Sequence, residues 1–196
     1  MMTEEVTERP QAGFDGKARL KSLRDGNWQM LDNLGYRIGE AWLRQQVAAF
    51  QRLHAHDMRW FGYSALNEKM TVFQGFVHDF ASVPRIFWTF ISPTCIRRPA
   101  IHHDAWYETL KELWWANKIT DKSFAHYRRV ADLIFKESME HAEPRIAAWK
   151  RCAAYRAVRM FGWYDRAMRR ERRRRLRESG ERRVVRMSRR RRSINR

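Results

Sequence analysis

Ala100-Ile-His-His-Asp-Ala-Trp-Tyr107 is the stretch on which the reading of this chain turns. On a helical period, His103 shares a stripe with Trp106, Tyr107, Leu110 and Trp114. Asp104 is turned by about 100° from that stripe and joins Ile101, Glu108 and Trp115. An imidazole on the apolar side of an amphipathic helix, beside a carboxylate, needs partners, because burying a polar group without a hydrogen bond is costly. Two further carboxylates are candidates to join it: Asp79 in Val77-His-Asp-Phe-Ala-Ser-Val-Pro84, and Asp132 in Val130-Ala-Asp-Leu-Ile-Phe135. Asp132 shares a helical stripe with Phe135 and Met139, so it points at least partly inward.

The same periodicity extends outward in both directions. Thr120 is an N-cap for a helix to about residue 141, with Phe124, Tyr127, Ala131 and Ile134 facing in. Glu143-Pro144 opens a last helix with Ile146, Trp149, Ala153, Ala157, Met160 and Tyr164 on one face, running past Gly162 into a block of arginines. Backwards from His103, Arg97-Arg-Pro99 opens the helix, which extends to about Asn117. Ser92-Pro93 closes an earlier helix that Pro84 opens and that carries Phe87, Trp88 and Phe90. Residues 75–84 read as a loop. Residues 58–64 and 70–74 alternate as the arms of a hairpin around Asn67-Glu68, which must pack on the helices to be stable. Residues 40–56 form an amphipathic helix through Leu43, Val47, Phe50 and either Leu53 or His54. Before it come a turn at Asn33-Leu-Gly35, a short strand at residues 28–31 and a turn signal at Arg24-Asp-Gly-Asn27. Residues 1–20, with Pro10, Gly13 and Gly16, read as a mobile arm.

The expected fold is mainly α with a small β-hairpin, an α+β architecture. An antiparallel helix pair carries the His/Asp cluster, a loop covers it, and a long C-terminal helix follows. Residues 21–165 form the globular domain and residues 166–196 an arginine-rich basic helix or tail.

Composition sets further bounds. The chain has 196 residues, 44% hydrophobic content and nine tryptophans, which excludes a disordered protein. Its net charge of +18 is concentrated: residues 169–196 hold fifteen arginines against Glu171, Glu178 and Glu181. Such a run repels itself unless a polyanion is at hand. Nucleic acid is the first candidate, through Arg172, Arg173, Arg174, Arg175, Arg189, Arg190, Arg191 and Arg192; an anionic membrane is the second. Sequence-specific readout is not expected, because the tail has no interleaved aromatics. Cys95 and Cys152 lack a metal spacing and fit a reducing compartment. No apolar run approaches the roughly 20 residues of a membrane span, and the polar, acidic first ten residues are unlike a signal peptide. The expected location is the host cytoplasm.

For His103, Asp104 and Asp132 three uses stay open: a buried network tying two helices together, a catalytic site, or a structural metal site. Asp79 and Ser82 could be a ligand and a nucleophile support, although an Asx turn and a helix cap explain them equally simply. His54-Ala-His56-Asp57 reads as surface, since residues 54 and 56 do not share a helical face. His102 faces away from His103 and reads as incidental. Neither Ser82 nor Cys95 has a context that singles it out as a nucleophile.

Four ordered motifs carry a resemblance. Gly75-Phe-Val-His-Asp-Phe-Ala-Ser-Val-Pro-Arg85 is followed by His103-Asp-Ala-Trp-Tyr107, Ala131-Asp-Leu-Ile-Phe135 and Arg159-Met-Phe-Gly162. Over about residues 58–163 the chain resembles the phage and prophage proteins grouped as domain of unknown function thirteen fifty-three. That resemblance implies a phage or prophage origin and brings no established activity. Val72-Phe-Gln-Gly75 stands where that family usually carries a proline, and the helix near residues 40–56 and the arginine tail look like additions to it.

The pair His-Asp-x-x-Tyr and Ala-Asp-x-x-Phe is also similar to the helix motifs of the phospholipase A-two superfamily. That likeness implies His103 as general base, Asp132 as the carboxylate orienting it, Tyr107 as a supporting hydroxyl and Asp104 as a calcium ligand. Asp79 would join Asp104 on the metal, within a loop supported by Gly75 and Ser82. The superfamily's Tyr-x-Gly-x-Gly calcium loop is not present in this sequence. Two expectations follow. One is a phage-encoded, calcium-dependent ester hydrolase. The other is a non-enzymatic virion-associated structural protein that meets DNA through its tail and packs with other virion proteins.

Overall fold

Short alternating segments make strands in the first half of the chain, and longer periodic segments make helices in the second. In the computed structural model, the described residues are 11–24, 27–78, 93–160 and 174. The elements are β1 (Gly13–Asp15), β2 (Leu20–Ser22), β3 (Trp28–Met30), β4 (Leu34–Arg37), α1 (Ala41–His54), β5 (Phe61–Ser64), β6 (Lys69–Val72) and β7 (Val77–His78). The helices α2 (Pro93–Trp115), α3 (Asp121–Ser138) and α4 (Ala148–Met160) follow. Residues 1–159 form one compact unit and Met160–Arg196 a second, of which Met160 and Arg174 are described.

The architecture is α+β, as expected, and the hairpin is part of something larger. Strands β5 and β6 pair with Phe61 opposite Val72 and Ser64 opposite Lys69. They extend into an antiparallel sheet of order β1-β4-β6-β5, while β2-β3-β7 form a second antiparallel sheet. Two expectations are corrected here. Within residues 1–20, the segment from residue 11 onward is not an arm: β1 pairs with β4, and Phe14 packs 4.9 Å from Tyr36. Asn33-Leu-Gly35 is not simply a turn, because β4 begins at Leu34 and lies between β1 and β6. Leu34 and Tyr36 face Val72 and Met70 across the ladder, all four buried. Non-local pairing of that kind overrides local turn chemistry.

Helix α1 buries Leu43, Val47 and Phe50. Its stripe ends on His54, whose ring lies 4.9 Å from Phe50, while Leu53 is 71% exposed. Phe50 stacks on Phe61 and meets Trp106 of α2 at 4.9 Å. Trp106 in turn donates its indole N–H to the Met70 sulfur. The core therefore joins α1, the four-stranded sheet and α2.

Helix α2 starts at Pro93, earlier than Arg97-Arg-Pro99 suggested, and takes Pro99 inside it. Proline at a first helical position loses nothing, whereas Pro99 forgoes one backbone hydrogen bond near the N-terminus. The expected helix from Pro84 lies outside the described residues. Helix α2 ends with Asn117 at φ 59°, Lys118 N–H on the Leu113 carbonyl and Asn117 N–H on the Trp114 carbonyl, a Schellman closure. Thr120 then caps α3 by accepting from the Ser123 N–H at 3.1 Å. Helices α2 and α3 run antiparallel: Trp114 binds Asp121 at one end and His103 binds Asp132 further along.

Helix α4 starts at Ala148, several residues after Glu143-Pro144. Its inward face is Ala154, Ala157 and Val158, not the expected Trp149-Ala153-Met160 line. Trp149 and Met160 are 61% and 68% exposed. Ala154 and Val158 instead pack with Ile96, Phe135 and Met139, because small side chains let the helix approach closely. Tyr164 lies outside the described residues. No helix among the described residues is long and apolar enough to cross a membrane.

Candidate functional site

Asp132 stands in the middle of α3 with no solvent exposure, and three donors converge on it. His103 Nε2 lies 3.0 Å from Oδ1, and the Tyr107 hydroxyl donates to the same oxygen at 2.6 Å. Arg159 from α4 donates to Oδ2 at 2.8 Å. Helical spacing explains the first two, since His103 and Tyr107 are one turn apart on α2 and present one face to α3. Phe135, one turn beyond Asp132, closes over the imidazole at 4.9 Å.

Electrostatics fixes the proton positions. Burial pushes the Asp132 carboxyl up, but the bonds from His103, Tyr107 and Arg159 outweigh it and hold the group below its ordinary value. Burial, and then the Asp132 charge, drive the Tyr107 phenol well above its usual range, so it stays a donor. An ionised carboxylate only accepts hydrogen bonds, so His103 must present Nε2–H to it. In the neutral ring Nδ1 is then the acceptor. That atom is buried and has no hydrogen-bond partner among the described residues.

Asp104, one residue on, turns away from this cluster. It lines a cavity of about 240 Å³ with Asn27, Phe76, Val77, His78, Tyr107, Glu108 and Lys111. Tyr107 belongs to both: its ring lies 4.2 Å from the His103 ring, and it forms part of the cavity wall. Gly75 is not at the cluster. It sits at φ +88° between β6 and β7 and donates its N–H to the Met30 carbonyl, so it shapes the β3–β7 connection. Asp79 and Ser82 lie outside the described residues, as do Arg172, Arg173, Arg175, Arg189, Arg190, Arg191 and Arg192. Arg174 is helical and exposed.

A family model described as "Protein of unknown function (DUF1353)" matches residues 42–158. The chain belongs to the DUF1353 family. No curated protein and no solved structure is matched. The DUF1353 match takes in α1, which is therefore part of the family domain and not an addition. It also holds His103, Tyr107 and Asp132, and it stops one residue before Arg159.

Three residues of this region escaped the reading of the sequence. Arg159 was visible only as the first residue of Arg159-Met-Phe-Gly162, on a helix whose inward face was assigned one residue out of phase. His78, buried and stacked 5.8 Å from Phe76, was overshadowed by Asp79 beside it. His102 is buried, not incidental: its Nδ1 meets the Arg98 carbonyl at 3.2 Å, and its ring faces Phe14 and Tyr36. No local pattern announces a histidine whose neighbours come from two strands.

Proposed function

We propose that this DUF1353 protein is a phage- or prophage-encoded protein with a hydrolytic site in which His103 is the general base. The observation that carries the reading is the buried His103 Nδ1, without a hydrogen-bond partner among the described residues while Asp132 holds Nε2. A polar atom in that condition calls for a water, a ligand or a reacting group. In this reading a water gives its proton to Nδ1 as its oxygen attacks an ester carbonyl, and Asp132 holds the imidazolium that forms. The imidazolium then returns the proton to the departing alkoxide. Tyr107 and Arg159 keep Asp132 in place, and the cavity beside Asp104 and Tyr107 is the approach assigned to the substrate.

Calcium enters only through the likeness to phospholipases. Of its two proposed ligands, Asp104 lines the cavity and Asp79 lies outside the described residues. Among the described residues no group of three or more His, Cys, Asp or Glu side chains could hold a metal, so no step is routed through the ion. Phospholipid is the first substrate to try. Wild-type protein should hydrolyse mixed zwitterionic and anionic phospholipid vesicles, assayed with and without calcium, and His103→Ala should lower the rate by about a hundredfold or more. A wild type that hydrolyses nothing, together with a large fall in melting temperature for His103→Ala, would sink the enzymatic reading.

The second reading is a virion-associated structural protein in which the cluster only ties helices together. It is favoured by the complete burial of Asp132 and the engagement of both its oxygens by groups from α2 and α4. In either reading the fifteen arginines of residues 169–196 bind a polyanion.

A further inference from the structure

We propose that Arg159 is a positioning residue of this site: by compensating the charge of Asp132 it keeps His103 a neutral base. The inference rests on the reading of His103 as a base, and it adds a residue from a third helix to the α2–α3 pair.

An ionised Asp132 held 3.0 Å from Nε2 favours the imidazolium. An imidazolium cannot accept a proton from water. A buried carboxylate facing a histidine alone would therefore draw a proton onto the ring and block the chemistry it is meant to assist. The opposite oxygen of Asp132 carries the remedy. Arg159 lies 2.8 Å from Oδ2, and a guanidinium is always charged, so the Asp132–Arg159 pair is neutral and the ring keeps its free lone pair.

The other groups around the cluster do not do the same work. On α2, Tyr107 is a neutral donor to Oδ1, and Asp104 is an acid turned toward the cavity. On α3, Arg128 acts on Tyr107. On α4, Tyr155 is neutral, adjoins Arg159 electrostatically, and lies under Lys136 at 5.7 Å. Among the described residues, Arg159 is the cation bonded to Asp132.

The test follows the imidazole of His103 by nuclear magnetic resonance in the full chain as pH is varied, assigning its signals by their loss in His103→Ala. Three variants separate charge from geometry. Arg159→Lys keeps the charge, Arg159→Gln keeps an N–H donor without charge, and Arg159→Met removes both. Arg159→Lys should titrate with the wild type. Arg159→Gln and Arg159→Met should take up the proton at a pH higher by about one unit, whichever member of the coupled His103–Asp132 pair carries it. A folded Arg159→Gln with the wild-type midpoint would overturn the proposal, and so would an Arg159→Lys shifted as far as Arg159→Gln. If Arg159→Met fails to fold, Arg159→Gln still decides. No substrate is present in this titration. A wild type without hydrolytic activity therefore removes the enzymatic reading without bearing on the charge compensation.

Discussion

His102 and His103 are neighbours in sequence and opposites in environment. His103 gives Nε2 to a carboxylate, whereas His102 sits against Phe14 and Tyr36 with only backbone groups to meet its ring. Burial pushes His102 down to about 4, against partial opposition from the backbone at Arg98, Leu34 and Met70. The unfolded chain takes up that proton near the ordinary value of 6.5, so the stability from a neutral His102 is complete above that pH and is lost as pH falls toward 4. Between pH 7.5 and pH 5 the loss should be about 2 kcal/mol. Urea unfolding at those two pH values checks it: wild type should weaken by about that much more than His102→Gln, and equal losses would show that His102 is not the titrating group. Asp132 stays outside this window, because its pKa is held below 3.8. His103, Tyr107 and Asp132 were legible residue by residue, since helical phase alone aligns them. His102 and Arg159 were not, because their partners are set by how separate elements pack.

Among the elements, the helix ends that depend on neighbouring residues were the most legible. Thr120 was read as a cap and accepts the Ser123 N–H in the structure. Replacing it with alanine leaves that N–H without its side-chain acceptor and should cost about 1 kcal/mol, measured as a lower urea midpoint at unchanged slope. A change within a few tenths of a kcal/mol would mean that solvent replaces the cap. The start of α1 shows the opposite case. Glu40 caps nothing with its own side chain. Instead Glu137 of α3 accepts the Gly39 and Glu40 N–H groups at 2.8 and 3.0 Å and the Tyr36 hydroxyl at 2.7 Å. One carboxylate thus joins β4, α1 and α3 from a hundred residues away, and no local signal marks it. The phase of α4 failed for a related reason. Large side chains suggested an inward face, but close packing against Ile96 and Phe135 selected the alanines.

At the scale of the whole molecule, charge and family boundaries do not coincide with the fold. The DUF1353 match begins at residue 42, yet β4 lies ahead of it and occupies a central place in the four-stranded sheet. The segment before the match therefore completes the family domain's own sheet. At the other end, residues 169–196 carry most of the net charge. If they bind nucleic acid, deleting them should flatten the dependence of log affinity on log salt by roughly 0.9 for each phosphate contact removed on duplex DNA. Binding to a random duplex at several salt concentrations measures this, and an unchanged slope would place the polyanion site elsewhere on the chain.

By itself the sequence determined the α+β class, the helix pair with its caps, the hairpin and the alignment of His103 and Tyr107 with Asp132. All of these rest on periodicities and caps spanning a few residues, which the backbone imposes locally. Only the tertiary structure decided that Leu34 to Arg37 is a central strand, that His102 is buried, that Glu137 caps α1 and that Arg159 completes the Asp132 cluster. Each of these joins residues far apart in the chain, where burial and charge compensation depend on which surfaces meet and not on the order of neighbouring residues.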